Sequence, residues 1–197
     1  DLKIRQETTA KRAISKEDIA KIRKLELVPG SDLDKARDYF LFSFNMRGMS
    51  FVDIAFLRNR DIVNGRVMYT RKKTGQKFSI KLTDEAKAII DKYHYNDEPQ
   101  GFVFQIIDRK GSEYLDYRNA LRLTNKKLNT IGEDAGCSIK ISTYVSRHSW
   151  ATIAKRSGIP TAVISEGMGH NSEKTTQIYL DSFENEVIDD ANELITG

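Results

Sequence analysis

The spacing of apolar positions changes twice along the chain, and the changes mark its elements. From residue 15 onward apolar residues recur every three or four positions, the period of an amphipathic helix. Ile19, Ile22, Leu25 and Val28 share one face of a first helix, opened by Ser15 with Glu17 and Asp18 behind it and stopped at Pro29-Gly30. A second helix begins after Ser31-Asp32 and runs to about Arg47, with Gly48 as its C-terminal cap. Tyr39, Phe40, Phe42 and Phe44 make it apolar nearly all round, which predicts the most buried helix of the fold. A third helix starts at Ser50, with Asp53 as its capping partner and Ile54 and Leu57 facing inward. The period then shortens to two. Asn64-Gly65 is a strong hairpin signal, 66–71 and 77–82 alternate as strands, and 72–76 is a second turn with glycine at 75. Helical spacing returns from Thr83-Asp84 to about His94. A loop at 96–101 and an extended stretch at 102–107 follow, then a long helix over 115–134 with Gly136 after it. Thr143 is expected to cap a helix ending at Gly158, Pro160 and Thr161 to open a short helix ending near Gly169, and Ser172 to cap the last helix before Tyr179. The whole predicts a mainly α fold with a small three-stranded antiparallel sheet, of the α+β class.

Three regions follow from the same pattern. Residues 1–14 are polar without a clear period and read as a linker from an upstream domain. Residues 15–180 read as one domain. In 181–197, Val187, Ile188, Ala191, Leu194 and Ile195 fall on one helical face and acids on much of the other, which suits an amphipathic helix packing on its own core.

Composition narrows the function classes. With 197 residues and 39% hydrophobic content the chain can bury a real core. It has no apolar run of membrane-spanning length and no signal-peptide core, and its single cysteine, Cys137, forms no internal disulfide and fits a reducing cytoplasm. The net charge of +4 hides an asymmetry: 181–197 holds six acids and no Lys or Arg, leaving 22 acids against 32 bases before it. A basic body with that +10 excess suits a polyanionic partner.

The candidate chemistry lies in 143–181. Arg147 offers a planar fork of donors for phosphate oxygens, His148 and His170 can hydrogen-bond or move protons near neutrality, and Tyr179 is a nucleophile type. His148 on its own reads as a buried core histidine. No H-E-x-x-H, C-x-x-C or Mg²⁺-type acidic cluster is present, nor a phosphate-binding G-x-x-x-x-G-K-S/T loop. A route without metal must take its positive charge from side chains, and a phenol of pKa about 10 needs such charge or a base beside it.

R-H-S-W-A-T at 147–152, M-G-H at 168–170 and T-T-Q-I-Y at 175–179 together resemble the tyrosine recombinases, the lambda-integrase family. R-G-M-S-F-V-D-I-A-F-L at 47–57 and Y-T-R-K-K-T-G at 69–75 look most like phage and conjugative-transposon integrases. The resemblance covers the chain as the family's catalytic domain, and it implies as the alternative that the 181–197 helix docks on a neighbouring protomer. It implies DNA cleavage and rejoining at attachment sites, without metal or other cofactor, through a 3′-phosphotyrosyl intermediate, by a homo-tetramer on double-stranded DNA in a prokaryotic cytoplasm, at the nucleoid; the isolated fragment can be monomeric. Tyr179 would attack the phosphate, Arg147 clamp its oxygens, His170 donate to it, and Lys73 protonate the 5′-oxygen leaving group, with Lys72 and Lys77 on the DNA backbone and Ser50 also in contact with DNA. A chromosome-dimer resolvase or type IB topoisomerase would share this chemistry, and a silent DNA-binding regulator would share the scaffold. Two positions depart from the family pattern. Tyr144 stands where H-x-x-R has histidine, and Ser50 stands where the first arginine belongs. Arg71, which would share a strand face with Lys73, or Arg47, three residues before Ser50, can supply the missing charge.

Overall fold

The computed structural model describes residues 12–94, 96–170 and 173–177. Ser172, Tyr179, residues 1–11 of the expected linker and the amphipathic segment at 181–197 lie outside the described residues. The elements are α1 (Lys16–Lys24), α2 (Asp32–Asn45), α3 (Phe51–Ala55), a 3-10 turn (Asn59–Asp61), β1 (Ile62–Val63), β2 (Arg66–Thr70), β3 (Lys77–Lys81), α4 (Asp84–Tyr93), α5 (Glu113–Asp134), α6 (Val145–Arg156), α7 (Thr161–Met168) and α8 (Glu173–Gln177). The strands form one antiparallel sheet in the order β1-β2-β3.

Local chemistry explains most boundaries. The hydroxyls of Ser15, Ser31 and Thr83 accept from the backbone N–H three residues on, satisfying donors that a helix start leaves orphaned. Asn64 and Gly65 both take positive φ, which a two-residue type I′ turn requires, and so set the Val63–Arg66 register. The helix α2 is the centre of the fold, packed by α1, α3, α4, α5 and α6. Phe40, Phe42 and Leu41 are buried there, and Phe104 meets Tyr39 and Phe42 edge-on. Its buried Asp34 and Asp38 are paired by Lys92 of α4, at 2.7 and 2.5 Å. A second, small cluster of Ala151, Ile164 and Met168, flanked by Trp150, joins α6 to α7.

Four expectations are corrected. The first helix stops at Lys24, not at Pro29: Leu25 leaves helical geometry, the Arg37 guanidinium takes its carbonyl at 2.6 Å, and Val28 is 74% exposed. Residues 102–107 form bends rather than a strand, with one isolated Arg58–Phe102 bridge, because Val103, Phe104, Ile106 and Ile107 insert into the helical core instead of pairing along an edge. The long helix starts at Glu113 behind Ser112. Tyr144, not Thr143, is the N-cap of α6: the Thr143 N–H is taken by Asn125 Oδ1 of α5 at 2.9 Å, which holds Thr143 outside the helix.

Candidate functional site

Three segments converge at the C-terminal end of α7. Gly169 there has φ +66, which lets the His170 N–H reach back to Ser165 O at 3.0 Å and the Gly169 N–H to Glu166 O at 2.9 Å, closing a Schellman-type end. The carbonyls of Met168 and Gly169 and the His170 ring are turned toward two arginines. Arg147 of α6, buried, donates from Nη2 to Met168 O at 2.6 Å and from Nη1 to Gly48 O at 3.0 Å. Arg71, also buried, directs Nη1 at Met168 O and Gly169 O, at 3.4 and 3.3 Å. Arg147 Nη2 lies 3.0 Å from His170 Nε2, and His170 Nδ1 lies 2.8 Å from the hydroxyl of buried Thr176 in α8. Two guanidiniums, one imidazole and a nearby lysine thus share one corner. Such a corner suits an anion with several acceptor oxygens.

Charge marks the site as well as geometry. Burial first, then the positive charge of Arg147, Arg71 and Lys73, pushes the His170 pKa down to about 4 from its ordinary 6.5. The imidazole is therefore neutral at pH 7. Between pH 6.5 and 4 the unfolded chain binds a proton here that the native state rejects, so stability falls as pH falls through that window and is untouched above it. His170→Gln is expected to shrink the loss of denaturant midpoint between pH 7 and pH 5; an unchanged loss would show that His170 does not carry it.

The β2–β3 turn places its cations differently from one another. Arg71 and Lys73 do not share a strand face, because β2 ends at Thr70 and both stand in the turn. The turn is closed by Gly75 N–H to Arg71 O and Arg71 N–H to Gln76 O, both at 2.8 Å. Within it Lys72 turns away and lays its ammonium over the Phe56 ring at 3.9 Å, whereas exposed Lys73 acts electrostatically on His170. Lys77 is exposed at the start of β3.

Arg47 does not continue α2 toward Ser50. The helix breaks at Met46, and Arg47 and Gly48 take φ +57 and +73. Arg47 reaches α7, where a Cβ on Gly167 would meet its Cδ at 3.8 Å. Gly48 lies flat on Arg147: a Cβ there would fall 2.6 Å from the Arg147 Cα. Ser50 does not cap the backbone; its hydroxyl donates to Asp53 Oδ2 at 2.6 Å. Tyr144 is 47% exposed, its ring edge-on to buried His148 with centroids 4.6 Å apart.

Asp53 carries more than its sequence pattern suggested. It is buried, and its Oδ1 accepts the Lys72 N–H at 2.9 Å, tying α3 to the lysine-bearing turn. The usable signal was an acid on a short apolar helix, with a run of bases downstream needing a fixed anchor. Thr176 was also missed as a residue in its own right; its signal was a hydroxyl six residues after His170, within the same motif.

A model of the phage integrase family matches residues 22–186. The tyrosine recombinase XerA of Saccharolobus solfataricus is 26% identical over 159 residues, 79% of this chain and 49% of that protein. XerA of Pyrococcus furiosus is 28% identical over 177 residues, 87% of this chain and 57% of that protein. The chain thus spans about half the length of these curated relatives. Among solved structures, XerA recombinase superposes with a TM-score of 0.63 at 16% identity, covering 94% of this chain and 65% of that one. A lambda integrase dimer bound to a COC′ core site gives 0.55 at 18%, covering 87% and 62%. The chain belongs to the phage integrase family, and its fold is that of the tyrosine recombinase catalytic domain.

Proposed function

We propose that the chain is the catalytic domain of a site-specific DNA recombinase of the integrase type, which cuts and rejoins DNA through Tyr179. The observation that carries this reading is the convergence of Arg147, Arg71 and His170 on the Met168–His170 corner, with α8 leading from it to the sequence position of Tyr179. Arg147 holds the non-bridging oxygens of the scissile phosphate. Tyr179 gives up its phenolic proton to solvent and attacks phosphorus, the DNA 3′ end becomes a phosphotyrosyl ester, and the 5′ oxygen leaves as a hydroxyl with a proton from Lys73. The ester keeps the energy of the broken bond, so the reverse attack by a 5′ hydroxyl rejoins the strand without a cofactor. Lys72 and Lys77 are assigned to the DNA backbone, and binding should weaken steeply with salt.

Arg71 is our choice for the missing first arginine. It shares the Met168 carbonyl with Arg147, so a phosphate drawing Arg147 off that oxygen lies within reach of Arg71 too. Tyr144 is assigned a hydrogen bond to the phosphate or to Tyr179. Residues 1–14 are assigned to a linker from an upstream DNA-binding domain, and 181–197 to a helix that links protomers in a tetramer on the DNA.

The test uses nicked suicide DNA bearing the attachment site and reads the denaturant-resistant protein–DNA band. Arg71→Ala should slow band formation by about 100-fold or more, as loss of a transition-state donor does, and Arg47→Ala by less than about 10-fold. The reverse ranking would give the clamp to Arg47. Specific binding without any band would instead make the chain a silent DNA-binding regulator.

A further inference from the structure

Arginine only donates hydrogen bonds, so the contact of Arg147 Nη2 with His170 Nε2 at 3.0 Å makes Nε2 an acceptor. In a neutral imidazole the proton then sits on Nδ1, and Nδ1 donates to the Thr176 hydroxyl at 2.8 Å. This is the tautomer that cannot donate to a phosphate from Nε2. Two routes lead from it to a donor at Nε2. Protonation is costly here, with Arg147, Arg71 and Lys73 all acting on the ring and burial adding to them. The other route keeps the ring neutral and exchanges the tautomer, and it needs a partner at Nδ1 that both accepts and donates. A hydroxyl is such a group.

We propose that Thr176 is a positioning residue that lets neutral His170 exchange tautomers when a phosphate enters. In the DNA-free protein the hydroxyl accepts from Nδ1–H. When a phosphate draws the Arg147 fork away, one proton leaves Nδ1 to solvent and one enters at Nε2. The hydroxyl turns to donate to Nδ1, and Nε2–H donates to a non-bridging oxygen. The net charge of the protein side of the site does not change. Because Thr176 is fully buried and belongs to α8, the same contact fixes the distance from His170 to the segment that leads to Tyr179. The inference rests on the recombinase reading for its purpose, but not for its first observable.

The experiment is ¹⁵N spectroscopy of the His170 ring at pH 7, assigned by His170→Gln, on the whole protein alone and saturated with a duplex of arbitrary sequence at low salt. The Nδ1–H tautomer is expected without DNA and the neutral Nε2–H tautomer with it. Thr176→Ser keeps the exchange. Thr176→Val removes it and slows covalent adduct formation by about 10- to 100-fold, the range seen when the outer partner of an oriented histidine is lost. The Val variant's adduct rate should also rise with falling pH, because protonation becomes the only route to a donor at Nε2; wild type lacks that rise. Nε2–H in the DNA-free protein, an imidazolium or no change at saturation, or a Val variant with wild-type rate and pH profile each overturns the proposal. Absence of any Tyr179-dependent adduct in wild type removes the recombinase reading, while the DNA-free tautomer is still decided by the spectrum.

Discussion

Arg147→Ala will slow covalent adduct formation by about 10³-fold or more, the scale on which an arginine clamping a transferring phosphoryl group acts. The same change will raise the His170 pKa from its value of about 4, because Arg147 is the largest contributor to that depression after burial. The two readouts separate two kinds of loss. Arg147 makes a fork, with Nη1 on Gly48 O and Nη2 shared between Met168 O and His170. Arg147→Lys keeps a charge but as one point on a flexible stem, which cannot span these positions. We expect Arg147→Lys to keep the His170 pKa low and still lose about 100-fold or more in rate. If lysine restored the rate, charge alone would suffice and the fork geometry would carry no weight. Circular dichroism shows whether either variant has unfolded.

Gly169→Ala will destabilise the domain by about 2–5 kcal/mol and disable the site in the fraction that folds. Part of this is backbone: an alanine held in the left-handed region costs about 1–2 kcal/mol. The rest is collision. A Cβ at Gly169 would lie 2.2 Å from Phe78 Cζ and 2.5 Å from Gln76 Oε1. Phe78 cannot swing aside at low cost, because its ring is stacked on Tyr69 at 5.2 Å and 13°. Overpacking of this kind costs about 1–3 kcal/mol. Gly158 is the internal control, with φ +77 and nothing within 4 Å of its position for a Cβ. Gly158→Ala should show only the backbone part, so the difference between the two variants in urea midpoint isolates the clash. Equal effects would mean that Phe78 and Gln76 yield, and that the turn does not hold His170 in place.

Much of the fold was readable because it is local. The serine and threonine caps, the Asn64-Gly65 turn and the apolar surround of α2 each depend on residues within one or two turns of one another. What escaped depends on distant partners. Residues 102–107 have the composition of a strand, yet Val103, Phe104, Ile106 and Ile107 are buried in the core and the backbone forms an isolated Arg58–Phe102 bridge instead of a ladder. Leu25 and Val28 keep helical spacing, but Arg37 claims the Leu25 carbonyl.

The site divides along the same line. Arg147 and His170 could be named from spacing because the family motif is short and α7 ends at a glycine. Sorting the turn cations by spacing placed Arg71 and Lys73 on a common strand face, which they do not have. Asp53, from another helix, holds the Lys72 amide, and Phe56 takes the Lys72 side chain, leaving Lys73 to act on His170. Ser50 and Tyr144 are the two positions at which the sequence departs from the motifs it resembles. Ser50 donates to Asp53, and the Tyr144 ring stands edge-on to His148.

The central claim is that Tyr179 is the nucleophile. Its most direct measurement is incubation of the protein, with any upstream domain present, with nicked suicide DNA bearing the attachment site, followed by denaturing electrophoresis. A slow band from wild type that is absent from Tyr179→Phe, with DNA binding unchanged, is the predicted result. A band of equal intensity from Tyr179→Phe would contradict it.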